Sequence, residues 1–232
     1  MNDNLPAYRN LVSARKSCSL CAGLTNPSRS AAGVYDGDEI GPWTRWEGDL
    51  DATVMVVGQD WGDEEGFKRQ KGLDSSNSST NRTLRELLAS VGVRVDPPTG
   101  QTQRVGAFFT NAILCLKQGG AQAAVRAEWF AKCGQHFLRP QIELVHPKVV
   151  VCLGEQAYRA VLAAYGLSPS SFREAVDATE PTVLPDGIPV VAVYHCSQRI
   201  LNTHRDLEAQ RRDWRRVARV LGRQADVEAS DA

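Results

Sequence analysis

The stretch Val54–Gly62, VMVVGQDWG, passes from four apolar residues straight into Gly, Gln, Asp, Trp and a second Gly. A short apolar run closed by Gly and Asp predicts a strand buried on both faces that ends in a turn, as in a parallel sheet covered by helices. In such sheets ligands bind beyond the carboxyl ends of the strands. Gln59, Asp60 and Trp61 therefore stand where chemistry is done, although turn formation alone would account for Gly58 and Asp60.

Three further runs repeat the pattern: VGAFFTNAIL (105–114), PKVVVCLG (147–154) and IPVVAVYH (188–195). Between them lie helix candidates. STNRTLRELLASVG (79–92) has a Ser/Thr/Asn start and a Gly stop, VRAEWFAKCGQHFLRPQIELVH (125–146) is expected to break at Pro140, and EQAYRAVLAAYG (155–166) follows the third run. In the closing helix, HRDLEAQRRDWRRVARVLG (204–222), Leu207, Trp214, Val217 and Leu221 trace one face. Strands alternating with helices predict a three-layer α/β/α sandwich around a central four-stranded parallel sheet.

The 232 residues suffice for one substantial core, so residues 1–222 are expected to form a single domain. The polar segment 223–232, RQADVEASDA, is expected to be a flexible tail. With 27 basic and 27 acidic residues the net charge is zero, and any nucleic-acid footprint must be local. No apolar run approaches the roughly 18 residues of a membrane span, and the N-terminus lacks an apolar signal region. A soluble, cytoplasmic, monomeric protein is expected, in which six cysteines suggest metal or redox chemistry before disulfides.

Three predicted strands end in reactive side chains: Gln59 and Asp60 on the first, Asn111 on the second and His195 on the fourth. The cysteines form a second constellation, Cys18-x-x-Cys21 with Cys115 and Cys133. Two residues between thiolates let one segment grip a metal centre, and two further cysteines complete four ligands, for zinc or for an iron-sulfur cluster. Cys152, inside an apolar strand, reads as a small core residue, and Cys196 as a neighbour of the site.

The order GQD, then TNAILC, then His195 with Ser197 after the last strand resembles the uracil-DNA glycosylase superfamily. The segments CSLC, NAILCLK and WFAKCGQHFLRPQIELVHPKVVVCLG resemble its iron-sulfur branch, including the family four enzymes. The resemblance implies a 4Fe-4S cluster on Cys18, Cys21, Cys115 and Cys133, with zinc as the alternative. It also implies DNA repair by excision of uracil, leaving an abasic site. Gly58-Gln59-Asp60 matches the first motif of the family one enzymes, whose Asp positions the attacking water, whereas family four has Glu-Ala there. Trp61-Gly62 departs from the family one Pro-Tyr, Gly62 matches the Gly of family four, and Cys196 replaces a usual proline after the motif-two histidine. GLDSSNSS (72–79) holds no phenylalanine to stack on a flipped base, and Phe67 is the substitute considered.

The residues support this chemistry directly. Uracil presents an N3–H donor beside an O4 acceptor, which one Asn amide, here Asn111, pairs with simultaneously. Cytosine reverses both polarities, and each mismatched buried group costs about 1–3 kcal/mol. Cleaving the glycosidic bond makes a cationic sugar and a uracil anion, so Asp60 is assigned to water and sugar, and His195 to uracil O2. Gln59 and Gly62 are assigned to the base, Ser197 and Arg199 to phosphate, and Ile200 and Leu201 to an apolar wedge. Two other classes stay open: a DNA- or abasic-site-binding protein on the same fold, and a metal or redox protein unrelated to DNA.

Overall fold

The computed structural model describes residues 4–41, 49–72, 78–95, 106–120 and 123–222. The tail at 223–232 and most of the GLDSSNSS segment lie outside these residues. In chain order, α1 (Leu5–Ser17) and β1 (Leu24–Thr25) precede β2 (Val54–Asp60), α2 (Glu64–Arg69) and α3 (Ser79–Ala89). Then come β3 (Ala107–Ile113), β4 (Leu116–Lys117), α4 (Ala127–Cys133), α5 (Arg139–Val145), β5 (Val149–Leu153) and α6 (Glu155–Ala164). The chain continues through α7 (Phe172–Asp177), β6 (Thr182–Val183), β7 (Pro189–Val193), α8 (Gln198–Thr203) and α9 (Leu207–Val220).

The four apolar runs form the parallel part of the main sheet, whose order is β3-β2-β5-β7-β6. The expected four strands become five. β6 pairs antiparallel with β7 across a tight turn in which Leu184 N–H bonds Ile188 O and Gly187 N–H bonds Leu184 O. Two residues, one of them exposed, carry no hydrophobic run, which is why β6 escapes a search for apolar strands.

Both faces are covered. Along β2, Val54 and Val56 pack toward Leu84, Leu87 and Leu88 of α3 and Trp214 and Val217 of α9, while Met55 and Val57 join the opposite core with α1, the α4–α5 segment and α6. The strict alternation of a pleated strand divides one valine-rich run between two cores. Asp206 caps α9, accepting from Ala209 N–H at 2.7 Å, and Trp214 and Val217 are fully buried as the apolar stripe requires.

The helix expected to break at Pro140 does not. A π turn over Gly134–Leu138 joins α4 to α5, with Arg139 N–H bonding Gly134 O five residues back. The wider turn relieves the clash between a proline ring and the carbonyl four residues earlier. Among the described residues no helix is long and apolar enough to cross a membrane.

Candidate active site and cysteine site

The chain leaves β2 toward β3 on one side, whereas β5 leads to β7 on the other. The loops after β2 and β5 therefore part, and a crevice opens between them at the carboxyl ends of the strands. A cavity of about 540 Å³ lies there, within the range of small-ligand sites. Its wall includes Gln59, Asp60, Asn111, His195, Ser197 and Arg199, six residues singled out from three separate segments of sequence. Ile200 also lines it, as do Thr80 and Asn81 of α3 and His204.

Asp60 is held by three donors. Its Oδ1 accepts from Gly62 N–H at 2.7 Å, and its Oδ2 from Gln59 Nε2 at 2.6 Å and Lys117 Nζ at 3.0 Å. The Asp60 and Lys117 side chains are 7% and 4% exposed, so this is a buried ion pair. A carboxylate offers about four acceptor positions. Three are filled, which leaves Oδ1 one lone pair for a water. Gln59, assigned above to the base, lines the cavity and gives one amide N–H to Asp60.

Asn111 stands opposite Gly58 in the β2–β3 register. A Cβ on Gly58 would fall 2.1 Å from Asn111 Oδ1, so the glycine makes the space in which the amide lies. Asn111 is 5% exposed, and among the described residues no hydrogen-bond partner of its amide is found, leaving both its carbonyl and its NH2 for a ligand. His195 Nδ1 accepts from Ser197 N–H at 3.1 Å, which puts the proton of the neutral ring on Nε2. Burial pushes its pKa below the ordinary 6.5, and the charge of Asp60 opposes this. Gln210 Nε2, on α9, holds His195 O at 3.3 Å. Ser197 is the N-cap residue of α8, yet its hydroxyl makes no capping bond.

Other expected residues fall elsewhere. Phe67 is buried in the core beneath α2, edge-on to Tyr35 at 6.5 Å, and does not line the cavity. Leu201 and Gly62 are also absent from its wall. Trp61 reaches the wall, but its indole packs under Gly41, where a Cβ would come within 1.8 Å of the ring, so it is a core residue of the turn. Lys117 and Gln210 were missed. A lone lysine ending the apolar run AILCLK was the available signal for the first; nothing local marks the second.

On the opposite face, Cys18, Cys21, Cys115 and Cys133 line one small cavity with Phe137 and Leu114. Asn26 Nδ2 donates to Cys18 O at 2.9 Å, Lys132 Nζ to Leu20 O at 2.9 Å, and Trp129 Nε1 to Ala22 O at 3.0 Å, which ties the CxxC loop to α4. The fully buried Arg15 fixes the adjoining segment through a two-pronged pair with Asp36, at 2.7 and 2.8 Å. Leu114 N–H donates to Cys133 Sγ at 3.4 Å. Burial pushes the Cys115 thiol up to about 12, with Cys18 and Cys21 adding to it, and raises Cys133 and Cys21 in the same direction. Among the described residues no three His, Cys, Asp or Glu side chains converge as ligands of one ion do. The four thiols that line the shared cavity are the donors a metal centre there would use.

Residues 46–219 match the family described as the Uracil DNA glycosylase superfamily. The chain is 29% identical to the type-5 uracil-DNA glycosylase of Pyrobaculum aerophilum over 211 residues, 85% of this chain and 86% of that protein. It is 24% identical to the type-4 uracil-DNA glycosylase of Archaeoglobus fulgidus over 76% of this chain and 80% of that protein. The type-4 enzyme of Thermotoga maritima is 26% identical over 69% and 73%. With its three motif segments gathered at one crevice and three quarters of its length matched, the chain belongs to the uracil-DNA glycosylase superfamily.

Proposed function

We propose that the protein hydrolyses the N-glycosidic bond of uracil in DNA, leaving an abasic site. The observation that carries this reading is the convergence of Asn111, Asp60 and His195 on one cavity of a size to take a flipped base. Asn111 accepts from N3–H and donates to O4. His195, neutral and protonated on Nε2, donates to O2 as negative charge grows there. The remaining lone pair of Asp60 Oδ1 orients the water that attacks the sugar. Ser197 and Arg199, at the start of α8, face the DNA phosphates, and Ile200 enters the gap left by the base. Cys18, Cys21, Cys115 and Cys133 would hold a 4Fe-4S cluster, which supplies a structural cross-link and takes no part in hydrolysis.

Purified protein is incubated with uracil-containing oligonucleotides, single- and double-stranded, and then with hot alkali. Strand breaks at uracil alone, with free uracil released, are the expected result. Tight binding to abasic DNA without base release would replace hydrolysis by a binding role.

Two predictions arise from the site. Because burial depresses the His195 pKa, the single-turnover rate should stay level as pH falls from about 8 to 6.5, the ordinary histidine value. It should decline only below that, where a second proton breaks the bond from Ser197 N–H. The same group makes stability rise with pH: the unfolded chain takes up protons from about pH 6.5 downward, before the native ring does. A rate limb at or above pH 6.5 would assign the histidine another role.

The second concerns C5 of the base. The family one enzymes are understood to press a tyrosine against this edge, and Gly62 has no side chain to press with. Small C5-substituted uracils should therefore be released alongside uracil, with thymine remaining poor, since a one-methyl gate is worth only about 1–3 kcal/mol and cannot be the only safeguard. At φ +91°, Gly62→Tyr carries backbone strain, although a Cβ there meets nothing within 4 Å. Assays of Gly62→Tyr on uracil and 5-hydroxymethyluracil DNA should show a narrower range. An unchanged ratio removes the gate from this position.

A further inference from the structure

We propose that Lys117 is a positioning residue for the reaction, fixing Asp60 from the short strand that follows Cys115. This rests on the reading of Asp60 as the group that orients water.

Lys117 is the last residue of β4 and is 3% exposed, in a chain whose other lysines lie largely at the surface. Its Nζ lies 3.0 Å from Asp60 Oδ2, and its backbone N–H bonds Gly62 O at 3.2 Å. One residue thus grips the GQDWG turn by side chain and main chain together. A buried ammonium is tolerated only beside an opposite charge, and the geometry of this pair sets the plane of the carboxylate. That plane decides where the free lone pair of Oδ1 points, and hence where a water sits relative to the sugar carbon.

β4 is itself anchored from the cysteine side. It pairs antiparallel with β1, which begins three residues after Cys21, through Leu24 with Lys117 and Thr25 with Leu116. From the same segment Thr25 Oγ1 donates to Glu64 Oε2 at 2.9 Å and Ser30 Oγ to Glu64 Oε1 at 3.2 Å, at the start of α2. The turn between β2 and α2 is thereby bolted at Asp60, Gly62 and Glu64 to a two-stranded ribbon carrying three of the four clustered cysteines at its ends. Gln59 and Gly62 alone could hold Asp60 by neutral bonds; among the described residues only the Lys117 side chain links it to that ribbon.

The test is a double-mutant cycle on the metal-loaded protein, reading single-turnover uracil release, DNA affinity, iron content and thermal stability. Lys117→Met is expected to slow release by about 10²-fold, the scale of a misplaced reacting group, with DNA affinity and iron content near the parent's. Asp60→Asn/Lys117→Met should be no more than about 3-fold slower than Asp60→Asn alone, because the two residues act as one unit. Lys117→Arg, which keeps the charge, should recover part of the rate. Multiplying losses in the double variant, or weakened DNA binding at an unchanged rate, would overturn the proposal by giving Lys117 an independent role. Should Lys117→Met be insoluble, Lys117→Gln is read in its place, and a soluble Lys117→Gln as fast as the parent overturns the proposal equally. An Asp60→Asn protein as fast as the parent defeats the reading of Asp60, whereas a slow Asp60→Asn beside a fast Lys117→Met defeats this proposal alone.

Discussion

Asp60→Asn and His195→Ala are each expected to slow single-turnover release of uracil by about 10²-fold or more while leaving DNA affinity nearly intact, the scale of groups that act in the transition state. The structure gives each loss a different origin. In Asp60→Asn the buried ammonium of Lys117 loses its counter-charge, and an amide NH2 replaces one of the two oxygens that now accept from Gly62, Gln59 and Lys117. The variant therefore loses negative charge beside the sugar and the orientation of water at once. In His195→Ala the donor at O2 is lost and Ser197 N–H loses its acceptor, while Gln210 still holds the backbone of residue 195. The effect on Asp60→Asn should persist with a more reactive leaving base, whereas the effect on His195→Ala should shrink, because a base that bears negative charge easily needs less help. Rapid-quench kinetics on uracil and 5-fluorouracil DNA measure both. If Asp60→Asn matches the parent enzyme on both substrates, Asp60 does not position the water.

Replacing Cys115 or Cys133 by Ala is expected to remove metal and soluble protein together. Protein purified without oxygen should be brown with about four irons per chain, and colourless protein with a single zinc would defeat the cluster. The four cysteines come from α1's end, the CxxC loop, the β3–β4 connection and the end of α4. A shared metal would join segments up to 115 residues apart, between Cys18 and Cys133. Such a cross-link would couple binding to folding, because without it the four thiols add, among the described residues, no bond between these segments beyond that of Leu114 N–H to Cys133. Cys152→Ala is the control. Cys152 lies fully buried in β5 with Val150 and Ala192 in the same core, away from the cysteine cavity, so its loss should cost some stability and leave iron content unchanged.

Sequence by itself determined the sheet and the identity of most side chains at its edge. Four apolar runs, three of them valine-rich, separated by amphipathic stretches admit little besides a covered parallel sheet, because each strand must bury both faces. Once that sheet is assumed, Asp60, Asn111 and His195 reach one edge by strand length alone, and Cys18 and Cys21 with two further cysteines raise the expectation of a metal. The tertiary structure decided what periodicity does not carry. β6 is a two-residue strand held by a turn, and the π turn before Pro140 keeps a helix continuous that local rules would break. Phe67 has the right chemistry for a base-stacking ring, yet a helix of six residues turns it into the core, since only the packing of α2 decides which face is inward. Lys117 shows the same limit most clearly. Its charge and its place after Cys115 are plain in the sequence, but its partner lies 57 residues earlier. That pairing exists because β4, which follows β3 and pairs with β1 in a separate two-stranded ribbon, runs beside the turn after β2 through Gly62 and Asp63, a contact that nothing local to either residue sets.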